Sequence, residues 1–362
     1  MTSGERTTQE SAIDQLCTMY RDVPQIGLVL GAGVSMGSGV PSYLELARQL
    51  FSRATGSAAA EQGDTDPDKM IQYAVDHLEK REKLRLYVKE ALYARVDTQR
   101  SHKMLGSKTY RDNATLDAVI SFCAAIPGSP LVPESTARSE TNPKVGGILT
   151  TNYDSLVEGA FGSKYGKKLL KPVGREGARE EMPGKRVIPV YHMHGYVSYV
   201  DDPDEPDRVK ASDLVIAEED YYRAFYNLLG FGNIVAMSFL RRFPCLFIGC
   251  SMQDRNIRRI LYHLRRERID ATAVVQHYAL LTPRAADADA MDDALLRSLG
   301  VVPIRLAQPL EEGPTFGEQV EAILERLYVS LDGLEPEYWQ AVKRGGWSHK
   351  KHDPALEASP LG

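Results

Sequence analysis

Gln25-Ile-Gly-Leu-Val-Leu30-Gly31-Ala-Gly33-Val-Ser35-Met-Gly37-Ser-Gly39-Val-Pro41 is the stretch on which the fold turns. An apolar run that stops at glycine reads as a buried strand, here over 25–30, entering a tight turn. Glycine lets a backbone approach a pyrophosphate closely, and a helix N-terminus beyond the turn offers N–H groups to an anion. The segment from Ser42 to Ala54 reads as that helix. The spacing differs from the G-x-G-x-x-G of dehydrogenases, and no second strand ending in an acidic residue follows about 20 residues later. A phosphate cradle is therefore the reading, with a purely structural glycine turn as its rival.

Outward from this unit, strands and helices alternate. A helix is expected over 8–22, with Thr8 as its cap. Helical patterns fill about 68–97 and 113–125, and the segments 55–68 and 127–143 read as loops. Strands are expected at 147–150, 186–193, 245–248, 274–281 and 301–305. Helices start near Ser155 and Arg255 and cover about 218–241, 286–299 and 316–331. Strand–helix alternation implies an α/β fold of Rossmann-like type, a mainly parallel sheet with helices on both faces. The strand-free segment at about 56–145 reads as a helical insertion. The expected organisation is an N-terminal helix over 1–24, the Rossmann-like domain over 25–335, and a mobile tail over 336–362.

Composition narrows the classes. The chain has 362 residues, 43% of them hydrophobic, which suits one large α/β domain with an insertion or two domains sharing an interface. No run approaches the ~20 apolar residues of a membrane helix. The opening Met-Thr-Ser-Gly-Glu-Arg lacks the apolar core of a secretory leader. The four cysteines, Cys17, Cys123, Cys245 and Cys250, form no C-x-x-C pair, which argues against a disulfide framework and a four-cysteine zinc site. A reduced, cytoplasmic protein is expected. The net charge of −5 gives no global pull toward nucleic acid.

Three further clusters stand at expected strand ends, where open α/β sheets place their ligand crevice. In Thr150-Thr151-Asn152-Tyr153-Asp154, Asn152 has donors and an acceptor for a water or a ribose hydroxyl. Asp154 could accept from that ribose, or it could cap the helix that begins there. In His192-Met193-His194-Gly195, a neutral imidazole suits a general base. Strand alternation would put both histidines on one face, leaving one of them as a hydrogen-bonding residue. In Gly249-Cys250-Ser251-Met-Gln-Asp254, a small-residue turn could receive phosphates or a ribose, while Asp254 reads as the cap of the next helix. The arginines of 255–268 accompany an apolar stripe of Ile257, Ile260, Leu261 and Leu264, so a solvated basic face is expected, and direct nucleic-acid binding is not. The acidic run 201–207 reads as a solvated loop.

In identity, order and position these four clusters resemble the sirtuin-like (silent information regulator) family. That family carries a GAGxS…SGxP loop, T-x-N-x-D, a histidine-glycine pair and a later G-x-S turn. They stand here as Gly31–Pro41, Thr150–Asp154, His194-Gly195 and Gly249–Ser251, within about residues 25–260. The resemblance implies that Asn152 and His194 are catalytic. It also implies that Gly31, Ala32, Gly33, Ser35 and Ser251 line an NAD site, with Pro41, Thr151, Asp154 and Gly249 beside them.

Departures from the family matter equally. Protein-deacylating members carry a four-cysteine zinc module after His-Gly, and here no cysteine lies between Gly195 and Phe243. Their Pro-Asp-Phe-Arg is Pro41-Ser42-Tyr43-Leu44 in this chain. The pattern, including Glu219-Asp220-Tyr221-Tyr222, is similar to a zinc-free bacterial subgroup of anti-phage defence proteins. It implies NAD hydrolysis without zinc, a homo-oligomer, and a separate regulatory partner such as a helicase-like ATPase, an Argonaute-type protein or a phage component. A non-catalytic NAD or ADP-ribose sensor is the alternative, with a deacylase or dehydrogenase behind it.

Overall fold

A computed structural model describes residues 3–56, 66–78, 82–96, 105–106, 108–125, 144–166, 169–173, 187–199, 214–227, 229–266, 275–309, 313–331 and 336–345. The chain opens with α1 (Ser3–Asp22) and β1 (Ile26–Leu30), followed by two 3₁₀ turns, Ala32–Val34 and Met36–Ser38. Helices α2 (Tyr43–Thr55), α3 (Pro67–His77), α4 (Glu82–Tyr93), α5 (Lys108–Arg111) and α6 (Ala114–Ala125) come next. Then β2 (Val145–Thr150), α7 (Leu156–Tyr165), β3 (Leu170–Val173) and β4 (Ile188–His192) follow. After these come α8 (Glu218–Tyr226), α9 (Phe231–Arg242), β5 (Cys245–Ile248), α10 (Arg255–Arg266) and β6 (His277–Leu281). The described chain closes with α11 (Ala286–Ser298), β7 (Val301–Arg305), α12 (Phe316–Val329) and α13 (Pro336–Lys343).

The strands form one seven-stranded sheet in the order β3-β4-β2-β1-β5-β6-β7, with every pairing parallel. Because side chains alternate along a strand, each strand feeds two cores. Leu28, Leu30, Ile148, Leu246, Ile248, Tyr278 and Ile304 enter one core with α1, α2, α6, α7 and α12. Val29, Leu149, Phe247, Ala279 and Val301 enter the other, against α9, α10 and α11. That is the helix–sheet–helix sandwich expected for a Rossmann-like fold. On α10, Ile257, Ile260, Leu261 and Leu264 are buried while Arg255, Arg265 and Arg266 are exposed, as the apolar stripe predicts. Among the described residues, no helix is long and apolar enough to cross a membrane.

Three elements differ from expectation. Helix α1 begins at Ser3 and runs through Thr8, so Thr8 does not cap it. Strand β3 (Leu-Lys-Pro-Val) escaped a reading based on apolar runs because it is an edge strand whose Lys171 and Pro172 are exposed, the position where proline is tolerated. Part of the expected tail is helix α13, whose Trp339 is fully buried against Phe122 and Tyr328. Residues 346–362 lie outside the described residues, as does the acidic run 201–207.

Candidate active site

Four strands end at one level. Leu30 stands in register with Thr150 and with Ile248, and Thr150 with His192. The loops after β1, β2, β4 and β5 therefore leave the sheet together at its carboxyl edge. Chain order also reverses about β1, with β2 and β4 on one side and β5 to β7 on the other. Such a switch point is where α/β sheets open a ligand crevice.

The glycines of the first loop have a local reason. A Cβ at Gly31 would lie 2.5 Å from the Gly249 carbonyl oxygen, and one at Gly33 would lie 2.9 Å from Gly249 Cα. The Gly33 N–H donates to that same carbonyl at 3.0 Å. Gly249 itself has a φ of +67°, in the region that favours glycine. The loops after β1 and β5 thus pack backbone to backbone, and this leaves Ala32 and Gly33 exposed at the crest of the first loop.

Asn152 is seated by this packing. Its Nδ2 donates to the Gly31 carbonyl at 3.1 Å and to Ser35 Oγ at 3.3 Å, while its own N–H is held by Thr150 Oγ1 at 3.0 Å. Ser35, fully buried, donates in turn to Asp154 Oδ1 at 2.9 Å. Asp154 Oδ1 also accepts the Leu156 N–H at 3.1 Å at the start of α7. Burial raises the Asp154 carboxyl above its usual value, against the lowering by these two hydrogen bonds. Ser35 and Asp154 therefore stand behind Asn152 and fix it.

The two histidines have different surroundings. Strand β4 ends at His192, and Met193-His194 form a turn closed by the Gly195 N–H on the His192 carbonyl at 3.2 Å. Strand alternation consequently does not extend to His194. The His192 Nδ1 is 3.1 Å from the Asn152 carbonyl and its Nε2 is 2.8 Å from Glu158 Oε1. Both partners can accept, so the arrangement favours a proton on each ring nitrogen. Burial, the largest influence, opposes that charge, yet Glu158, the Asn152 carbonyl and Asp154 together hold the imidazole above its ordinary value. His192 is thus a buried imidazole whose charged form its partners favour, and it grips the backbone of Asn152.

His194, 3% exposed, is the opposite case. Its Nε2 is buried without a hydrogen-bond partner among the described residues, and Asp254 Oδ2 lies 3.7 Å away. Burial pushes this imidazole below its usual value, with Asp254 opposing, so the neutral form prevails at pH 7. The Tyr221 ring meets it edge-on at 5.5 Å and the Tyr153 ring lies at 6.4 Å. The Tyr221 hydroxyl interacts with those of Tyr153 and Tyr43, and Tyr43 donates to Asp68 Oδ1 at 2.8 Å. Tyr221 thereby ties α8 over the site. The Glu219–Tyr222 segment was conspicuous in sequence, but the convergence of Tyr43, Tyr153 and Tyr221 was not.

In the loop after β5, Ser251 is exposed and its Oγ accepts the Gln253 N–H at 3.3 Å. Asp254 Oδ1 accepts the Asn256 and Ile257 N–H groups at 2.8 and 2.9 Å, the expected cap of α10. Burial pushes the Cys250 thiol up to about 12, which disfavours its thiolate. A cleft of about 80 Å³ opens here, lined by Ser251, Gln253, Arg258, Thr282 and Arg284 among others. Pro41 and Thr151 are half-buried beside the crevice. Among the described residues, no three His, Cys, Asp or Glu side chains gather as a metal site.

Compared with known families, residues 146–304, from β2 to β7, match the SIR2-like domain. The matched segment contains Asn152, His194, Gly249, Ser251 and Asp254, while the Gly31–Pro41 loop precedes it. No curated protein matches the chain.

Proposed function

We propose that this chain, whose residues 146–304 match the SIR2-like domain, hydrolyses NAD to nicotinamide and ADP-ribose. The observation that carries this reading is the placement of Asn152 and His194 on adjacent, level strand ends. One is locked by hydrogen bonds, and the other is a neutral base with an unsatisfied nitrogen. The crest of the Gly31–Gly33 loop supports a pyrophosphate at the switch point. The cleft after β5 supports the adenosine end, on the side of β1 away from the two catalytic residues.

In the reaction, the bond between nicotinamide nitrogen and ribose C1′ breaks, and nicotinamide leaves with the electron pair. The developing oxocarbenium charge is favoured by the fixed dipoles around Asn152. Asn152 orients the ribose or the attacking water. Water oxygen bonds to C1′ and its proton passes to His194. Each turnover consumes one water and releases nicotinamide, ADP-ribose and a proton.

Hydrolysis is favoured over deacylation because the chain has no cysteines between Gly195 and Phe243 to build the module that walls an acyl-lysine groove. Cys245 and Cys250 belong to β5 and the loop after it. A binding-only sensor would have no use for a neutral, buried His194. By the same resemblance, the proposed setting is anti-phage defence, with self-assembly or a separate partner holding the activity in check. Asn152→Ala and His194→Ala should each abolish nicotinamide release while ADP-ribose still binds. Full activity in both variants would refute the assignment.

A further inference from the structure

Asp254 does more than its capping role requires. Capping of α10 uses Oδ1 alone, on the Asn256 and Ile257 N–H groups. The other oxygen, Oδ2, points across the crevice to His194 Nε2 at 3.7 Å. That distance exceeds a hydrogen bond, which needs about 3.2 Å or less, so a shift of roughly half an ångström joins the two groups. His194 Nε2 is buried with no other partner among the described residues, and such a nitrogen is costly until it is satisfied. Among the described residues, the other titratable groups that meet the imidazole are the hydroxyls of Tyr221 from α8 and Tyr153 after β2, both made less acidic by burial. Among the described residues, Asp254 is therefore the carboxylate that faces His194, and its charge also reaches Tyr153, Tyr221 and Cys250.

Resting on the hydrolase reading above, we propose that Asp254 is a positioning residue for His194, with Oδ2 accepting Nε2–H and so fixing the ring and its tautomer. With the proton on Nε2, the lone pair lies on Nδ1, which is then the atom that takes the proton from water. A carboxylate in this place also stabilises the imidazolium formed in that step, as in hydrolytic triads. The loop after β5 thus has two tasks from one side chain. One oxygen starts α10, and the other aims the base.

Asp254→Asn separates the two tasks, because asparagine caps a helix about as well as aspartate. The expected result is a kcat for NAD lowered by roughly 10-fold or more, with KM and the melting temperature unchanged. The imidazole signal of His194, assigned by its loss in His194→Ala, should titrate at lower pH in Asp254→Asn. Asp254→Ser, which keeps a capping hydroxyl, should reproduce the kinetic loss. Wild-type kcat and an unshifted His194 titration in Asp254→Asn would overturn the proposal. So would a kcat loss that only follows a fall in melting temperature. If the wild-type chain released no nicotinamide, the hydrolase reading would fail, and the titration would still decide the Asp254–His194 contact.

Discussion

Glu158→Ala should destabilise the protein far more at pH 6 than at pH 8.5. Glu158 stands on α7, and its carboxylate is one of two acceptors that favour a proton on each nitrogen of the His192 ring. The side chains are 10% and 1% exposed, so solvent screens the pair weakly. Removing one partner of a buried ion pair costs about 3–5 kcal/mol. The sign of the pH effect follows from the raised folded-state value of His192. An imidazole whose folded value exceeds its unfolded one stabilises fully below about pH 6.5, and that stabilisation is lost as pH rises through the folded value. As pH rises through the folded value, the wild type gives up the charged interaction. The difference should then shrink toward that of a single lost hydrogen bond, about 1–3 kcal/mol. In the variant, burial of His192 is opposed only by weaker partners, so its pH dependence should flatten. Urea unfolding of both proteins between pH 5.5 and 8.5 measures this directly. Parallel stability curves, or a cost near zero at pH 6, would refute the argument that Glu158 favours the charged form of His192.

Ser35→Ala removes the hydroxyl between Asp154 Oδ1 and Asn152 Nδ2. It should cost about 1.5–3 kcal/mol of stability, as for a hydrogen bond to a charged group, and lower kcat more than KM in NAD turnover. Unchanged kinetics would place Ser35 outside the catalytic support. Trp339→Ala should cost about 3–5 kcal/mol in denaturant unfolding, because the indole fills the space between Phe122 and Tyr328. A stability equal to wild type would return 336–345 to a dispensable tail.

The sequence made the sheet legible where strands are buried on both faces, since β1, β2, β5, β6 and β7 are short apolar runs bounded by turn residues. It hid β3 because an edge strand tolerates Lys171 and Pro172, and it hid α13 because Gly345-Gly346 and the lysines beyond drew attention from Trp339 and Val342. In the site, the residues at strand ends were legible from identity and order. Their supports were not. Glu158 reads as a surface residue of α7 until β4 brings His192 against it from 34 positions away. Asn113, which donates to the Val34 carbonyl at 2.8 Å, supports the glycine loop from 79 positions away. Tyr43, Tyr153 and Tyr221 come from three separate elements. Polar contacts of this kind leave no periodic trace, so only the folded chain reveals them.

The central claim is tested most directly by incubating NAD with the purified chain and separating the products by chromatography, with His194→Ala alongside. Equal amounts of nicotinamide and ADP-ribose from the wild type, and neither from the variant, are the predicted result. Intact NAD in both samples, or equal cleavage by the variant, would contradict it.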